Sequence, residues 1–298
     1  MRFKNHLNAN ISLYFFREHI PGSLGSLPYW VYASFFLGSI CSIATVGWSV
    51  FKTPEIPPTE AELAALKAEK INVFTPFKEI ASAIGDMPKV MWQLALVYLF
   101  QWYALFCYWQ NASKSIAKSV WNTTVYQNNP AYEDAVAWSG LVNGWYNIVT
   151  FLSAFFLLWL AKKISPKMIH VICLIMAAVG LLVFPHITDK NLLFVPMAGF
   201  GVAWASMMGI PYLLVVDKIP KEKYGVYMGI INMMIVIPML IQNLSFGYIL
   251  KHFLNNDPGK AISFAGVLLL LAAVATLFIQ SSKETSNTEA SIPSGGGH

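Results

Sequence analysis

Apolar residues in this chain fall in seven long runs: Tyr29–Phe51, Val90–Trp109, Trp138–Leu160, Met168–Phe184, Leu192–Val216, Tyr224–Leu250 and Ala261–Gln280. Each is long enough to cross the ~30 Å hydrocarbon core of a bilayer as an α-helix. The runs are continuously apolar rather than alternating, so barrel strands are excluded. The pattern predicts an all-α membrane protein with seven transmembrane helices. It divides into a polar arm (1–28), a first span (29–51), a cytoplasmic loop (52–89), a six-helix bundle (90–280) and a polar tail (281–298) whose composition predicts disorder. The fourth run is the shortest.

The loop after the first span carries its own helical signals. Thr59 and Glu62 fit a capping box for a short helix through Lys70. Thr75–Pro76 reads as a cap followed by proline at the first helical position. Phe77, Ile80, Ala81 and Ile84 then share one side. Such a helix either lies on the inner membrane face or packs on the ends of the bundle.

Charge sets the orientation. With the C-terminal tail inside, the inner loops hold Lys52, Lys67, Lys70, Lys78, Lys89, Lys162, Lys163, Lys167, Lys218, Lys221 and Lys223. The outer loops hold Lys114, Lys118, Lys190, Lys251 and Lys260. Eleven against five satisfies the positive-inside rule, with Arg2, Lys4 and Arg17 on the external arm in opposition. The expected location is the cell (inner or plasma) membrane, multi-pass, with the C terminus cytoplasmic. The net charge of +5 is spread over these loops, which argues against a nucleic-acid partner. Met1–Pro28 is polar and mixed and does not read as a signal peptide. The composition agrees with the spans: 56% hydrophobic, 12% charged and a mean hydropathy of +0.53, against about 25% charged in soluble domains.

All 35 charged side chains lie outside the seven runs. A buried acid or base would mark a proton relay or ion site, and no such residue lies in the runs. No hydrolytic triad, carboxylate pair, zinc spacing or phosphate loop falls within them, so no enzyme activity, cofactor or metal is expected. Cys41, Cys107 and Cys173 read as small apolar residues. His170, the one histidine inside a run, reads as interfacial rather than catalytic. Tyr29, Trp30 and Trp138 read as interface anchors.

The uncharged polar residues are grouped. The second run carries Gln101, Trp102 and Trp109. The third carries Asn143, Tyr146 and Asn147 on one helical face, and the sixth carries Asn232 and Asn243, eleven apart and on one face, with Gln242 beside them. A buried amide without a partner costs a few kcal/mol. These groups therefore need either one another, as interhelical packing bonds, or a wet cavity. Amides offer donors and acceptors to hydroxyls, and indole rings stack on sugars, so a neutral polyol fits the set. The densest segment is Gly199–Asn243, two apolar runs joined by the short loop Asp217–Tyr224, a candidate gate that reads more simply as a basic hairpin. Gly199, Gly201 and Gly209 are expected to permit close helix approach, and Pro211 and Pro238 to permit kinks. Asn10, Asn111 and Asn122 open glycosylation patterns that matter only in a eukaryotic host.

Several segments together resemble the sucrose and related glycoside (glycoside-pentoside-hexuronide) cation symporters of the major facilitator superfamily. Gly201–Ser206 (GVAWAS) with Pro211-Tyr212 resembles their tenth helix. Gly225–Gly229 (GVYMG), Asn232 and Ile235–Pro238 (IVIP) resemble the eleventh. Met87-Pro-Lys89, Gln93–Ala95 and Trp102–Phe106 (WYALF) resemble the start of the seventh, and Thr53–Glu55 with Pro57-Pro58 the loop after the sixth. The resemblance runs from about Ser26 to Gln280. The loop from Lys162 to Lys167 keeps the family's charge without its usual glycine.

The resemblance implies helix six plus the C-terminal six-helix bundle of a major facilitator fold. The sugar site would lie between two halves, and the proton-coupling acid would lie in an N-terminal half, in keeping with the charge-free runs. The chain is thus expected to be the C-terminal part of a carrier of a di- or oligosaccharide driven by cation symport. Its partners would be the sugar, a coupling proton or sodium ion, the bilayer and a separate six-helix half. The residues expected at the sugar are Gln101, Trp102, Trp109, Asn143, Asn147, Trp204, Asn232 and Asn243. A seven-span receptor or sensor is the alternative. A retinal type is excluded because no run carries the lysine its Schiff base needs.

Overall fold

A computed structural model describes residues 20, 22–24, 27–53, 59, 60, 63, 75–126, 129–220 and 223–280. Ahead of the first helix, the two-residue strands Ser23–Leu24 (β1) and Leu27–Pro28 (β2) pair antiparallel. Among the described residues, eight α-helices with defined ends follow: α1 Tyr29–Lys52, α2 Thr75–Gly85, α3 Lys89–Ser119, α4 Pro130–Leu160, α5 Pro166–Val183, α6 Phe194–Val215, α7 Tyr224–His252 and α8 Pro258–Leu277. All but the short α2 are long and apolar enough to cross a membrane.

The helix starts follow local chemistry. Asn129 caps α4 by accepting from the Ala131 N–H, and Asp257 caps α8 by accepting from the Gly259 and Lys260 N–H groups. Both helices begin with proline, as does α5, where an absent N–H costs nothing. The α4–α5 turn, Lys162 to Ser165, forms without a glycine. Asn255 and Asn256 adopt left-handed backbone in the α7–α8 turn, a conformation that asparagine tolerates.

Five helices close a ring in the order α3, α8, α5, α6, α4 and back to α3. α7 lies on α3, and α2 lies on α7. The ring depends on small residues at its crossings. A Cβ on Gly201 of α6 would sit 2.5 Å from the Tyr146 carbonyl oxygen of α4. Gly180 of α5 meets the Pro196 carbonyl at 2.9 Å in the same sense, and Gly266 of α8 meets that of Ala178 at 3.0 Å. Thr150 secures the α4–α6 seam by donating to the Gly201 carbonyl at 2.9 Å, an interhelical bond suited to an apolar medium. α1 stands apart, with no residue buried along its most apolar stretch and Phe51 90% exposed.

The fourth run forms the shortest of the seven membrane helices, 18 residues, and a 3-10 turn through His186 extends its span to 21. Several expectations change. α3 runs ten residues past Trp109, because Gln110, Asn111, Ser113 and Ser115 are compatible with a helix though not with an apolar run. His170, four residues from the start of α5, faces neither lipid nor water. It is fully buried in α5, its Nδ1 bonded to Ser206 Oγ of α6 at 2.8 Å. Trp138 is not a surface anchor either. It is buried, its indole N–H donates to the Lys190 carbonyl, and the Lys190 ammonium lies over its ring.

Of the three glycines expected at close approaches, Gly201 makes one and Gly199 makes ordinary contact, whereas Gly209 faces nothing within 4 Å. Asn111 is buried with its amide on the Cys107 carbonyl, so its glycosylation pattern is sterically closed. On α2, Ala83 is the buried residue and Ala81 is exposed, which turns the contact face from the one expected and seats this helix on α7. Thr59 is described and its carbonyl accepts from the Leu63 N–H at 2.9 Å; its capping partner Glu62, the rest of the helix through Lys70, most of the arm, Asn10 and the tail from Ser281 lie outside the described residues.

Candidate functional site

α3 places Trp102 and Trp109 seven residues apart, two helical turns, and therefore on one face. Trp204 of α6 reaches between them. Its ring centroid is 5.9 Å from that of Trp102 and 5.6 Å from that of Trp109, both edge to face. Tyr98 continues the cluster from Trp102 and Phe106 from Trp109. Trp102 is buried, while Trp109 and Trp204 are half-buried, so the cluster has a covered base and a partly open edge. Edge-to-face pairs add about 0.5–1.5 kcal/mol each beyond area burial, which makes the cluster a stiff platform.

Polar groups occur at two depths. Gln101 is fully buried, and neither end of its amide meets a protein partner among the described residues; the Trp102 indole N–H is likewise buried and unpartnered. Each is a high-energy arrangement unless something completes it. Asn143 of α4 accepts from the Tyr108 hydroxyl of α3 at 2.8 Å, so it is tied into the bundle. Asn147, one turn on, is exposed, with its amide donating back to the Asn143 carbonyl. Asn232 and Asn243, eleven residues apart on α7, are both exposed.

Gln110 joins α3 to α7. Its oxygen accepts from Gln242 at 2.9 Å and its amide donates to Asn243 at 3.0 Å. Asn243 in turn donates to its own helix at Met239. The result is an ordered row of amides whose outer members, Gln110 and Asn243, are exposed. Gln110, Gln242 and Tyr108 were not among the expected site residues. Gln110 falls one position beyond the apolar run, and the tie between Tyr108 and Asn143 depends on a crossing that sequence spacing does not reveal.

The eight residues thus divide. Trp102, Trp109 and Trp204 come together, Gln101 lies buried on α3 beside Trp102, and Asn143 is held by Tyr108. Asn147, Asn232 and Asn243 stand on exposed helix faces. The other end of α7 is pinned separately. Lys223 pairs with Asp86 at 3.1 Å, and the Tyr227 hydroxyl reaches the Asp86 carbonyl. That contact lies at the candidate gate, part of which is outside the described residues.

Seven long apolar helices, four of them (α4, α5, α6 and α8) meeting at close small-residue crossings, define a multi-pass membrane protein. A family model for the Major Facilitator Superfamily matches residues 20–243, from ahead of α1 into α7, and the chain belongs to that superfamily. A search of curated proteins found no match.

Proposed function

We propose that this chain carries a di- or oligosaccharide by cation symport, driven by a proton or sodium ion, its six-helix bundle working against a second six-helix half by alternating access. The observation that carries the reading is the indole platform Trp102–Trp204–Trp109, flanked by amides on α3, α4 and α7. Aromatic rings accept the apolar face of a sugar, and amides satisfy its hydroxyls in either direction. Trp102, Trp109 and Trp204 would provide stacking. Gln101, Asn143, Asn147, Asn232 and Asn243 would provide hydrogen bonds, with Gln110 holding Asn243 in orientation. The seven apolar runs contain no acid, Glu133 and Asp134 lying ahead of the third run at the start of α4, so the coupling cation would be bound by the other half. The lysine distribution favours the cell membrane, with the C terminus in the cytoplasm.

The test is uptake of labelled disaccharides by cells making this chain alone or together with a separately encoded N-terminal half. Saturable uptake that needs both halves and collapses on dissipating the proton or sodium gradient is expected. Cation-driven uptake by the lone chain would refute the two-half arrangement, and failure of every disaccharide to enter or compete would refute the sugar assignment.

A further inference from the structure

At the end of the bundle that bears the α7–α8 turn, a polar cavity of about 310 Å³ opens between α3, α8 and the turn after α5. Its wall holds Lys118 and Ser119 of α3, His186, and Lys260 and Ser263 of α8, with Ser115 at its base. It shares no lining residue with the indole platform, Ser115 lying six residues, or roughly 9 Å along α3, beyond Trp109.

The cavity's charges do not cancel. Asp257 is its one acid, and Lys118 pairs with it. Burial works against the Asp257 charge, but the bonds from Lys118 and the Gly259 N–H outweigh it and hold the carboxyl below its ordinary range. Lys260 then remains with no ion-pair partner among the described residues, and His186 is exposed on the rim. The start of α8 adds partial positive charge, although its Gly259 and Lys260 N–H groups are already taken by Asp257.

The second observation is independent of charge. Ser115 is 1% exposed and its hydroxyl meets no protein partner, and the Ser119 hydroxyl is buried and unpartnered beside it. A helical serine normally bonds back to its own helix when nothing else is offered. Two unsatisfied hydroxyls beneath an uncompensated lysine form a donor-rich pocket with spare positive charge.

We propose that this cavity binds a phosphate-type oxyanion, with Lys260 supplying charge, Ser263 and His186 the rim, and Ser115 and Ser119 the donors at the base. The anion would bridge α3 to α8 and brace that end of the ring. Inorganic phosphate and the headgroup of an acidic phospholipid share this chemistry, and the test separates them. Thermal unfolding of the purified chain is followed in neutral detergent against inorganic phosphate at constant ionic strength, and in nanodiscs of neutral lipid with and without phosphatidylglycerol.

A saturable rise in midpoint is expected in at least one arm. Stabilisation in detergent identifies the free ion, and stabilisation confined to phosphatidylglycerol discs identifies the headgroup. Lys260→Met should abolish the rise. Ser115→Ala should weaken half-saturation about tenfold, the order expected for a lost bond to a charged group. Lys251→Met, at the same end but outside the cavity, should leave it intact. No saturable rise in either arm, or an equal rise in Lys260→Met and wild type, overturns the proposal.

Discussion

Gly201→Ala tests the packing that positions the indole platform. The added methyl would lie 2.5 Å from the Tyr146 carbonyl oxygen and 2.9 Å from Val149 Cβ, where 3.0 Å is already closer than real Cβ contacts come. The first obstacle is backbone and cannot rotate aside, so α4 and α6 must part. Parting also stretches the Thr150 bond to the Gly201 carbonyl. Overpacking costs about 1–3 kcal/mol and the strained interhelical bond about 0.5–1.5 kcal/mol, against a gain of about 1 kcal/mol from alanine's helix propensity. The net loss is about 1–3 kcal/mol, or roughly 3–10 °C in unfolding midpoint for a chain of this size. Gly209→Ala is the control. It lies in the same helix and its Cβ meets nothing within 4 Å, so stability should hold or rise by up to about 1 kcal/mol. The assay is thermal unfolding of both variants in one detergent, followed by tryptophan fluorescence. A Gly201→Ala protein as stable as wild type, or two variants shifted equally, would refute a close α4–α6 crossing at this residue.

Three further outcomes follow from the same geometry. Cys41 lies mid-span in α1 and Cys107 and Cys173 are buried, and only a hydrated thiolate reacts, so a maleimide should modify no thiol in the folded chain and three after denaturation, counted by mass spectrometry. Trp204→Ala removes the ring that joins Trp102 to Trp109 and should weaken half-saturation for sugar uptake about tenfold, with Trp204→Phe between the two; unchanged uptake kinetics would remove these rings from the solute path. Asp257 has its carboxyl held below the ordinary range, so its contribution is complete above the unfolded value, about pH 4, and is lost as pH falls through the folded value. Asp257→Asn should therefore unfold earlier than wild type at pH 7, by a margin that closes below about pH 4 in acid titrations of stability; a margin independent of pH would refute the Lys118 pairing.

The seven spans were legible because hydrocarbon imposes one rule everywhere: a run must be long and apolar. Length failed where that rule relaxes. α3 outlasts its apolar run because Gln110 is received by α7, Asn111 by the carbonyl one turn back and Ser115 by a cavity, and the sequence does not say which. Polar type was legible and polar role was not. Asn143 and Asn147 differ by one turn, yet one accepts from Tyr108 inside the bundle while the other is exposed. His170 shows the same limit. Position along a run suggested the membrane border, but burial against Ser206 depends on how α5 rotates toward α6. Among the glycines, Gly201 and Gly209 are equivalent in sequence terms, and only the crossing of α4 separates them.

Burial across the bundle is uneven in a way that bears on the solute path. α3, α5 and α8 are buried along more than half of their most apolar stretches, whereas α4 and α7 are buried along far less. The exposed amides Asn147, Asn232 and Asn243 stand on those two lightly buried helices, and Gln110 meets Asn243 from α3. An amide facing hydrocarbon costs a few kcal/mol even when half its bonds are made within its own helix. Four of them on largely apolar helices would be a heavy penalty if lipid were the only neighbour. Under the proposed reading their neighbours are water, sugar hydroxyls and the opposing half, and the penalty disappears. Gly180, Gly201 and Gly266 keep the α5–α6, α4–α6 and α5–α8 seams tight, as the proposed reading requires of a bundle that tilts as one body while its wetted face changes partners.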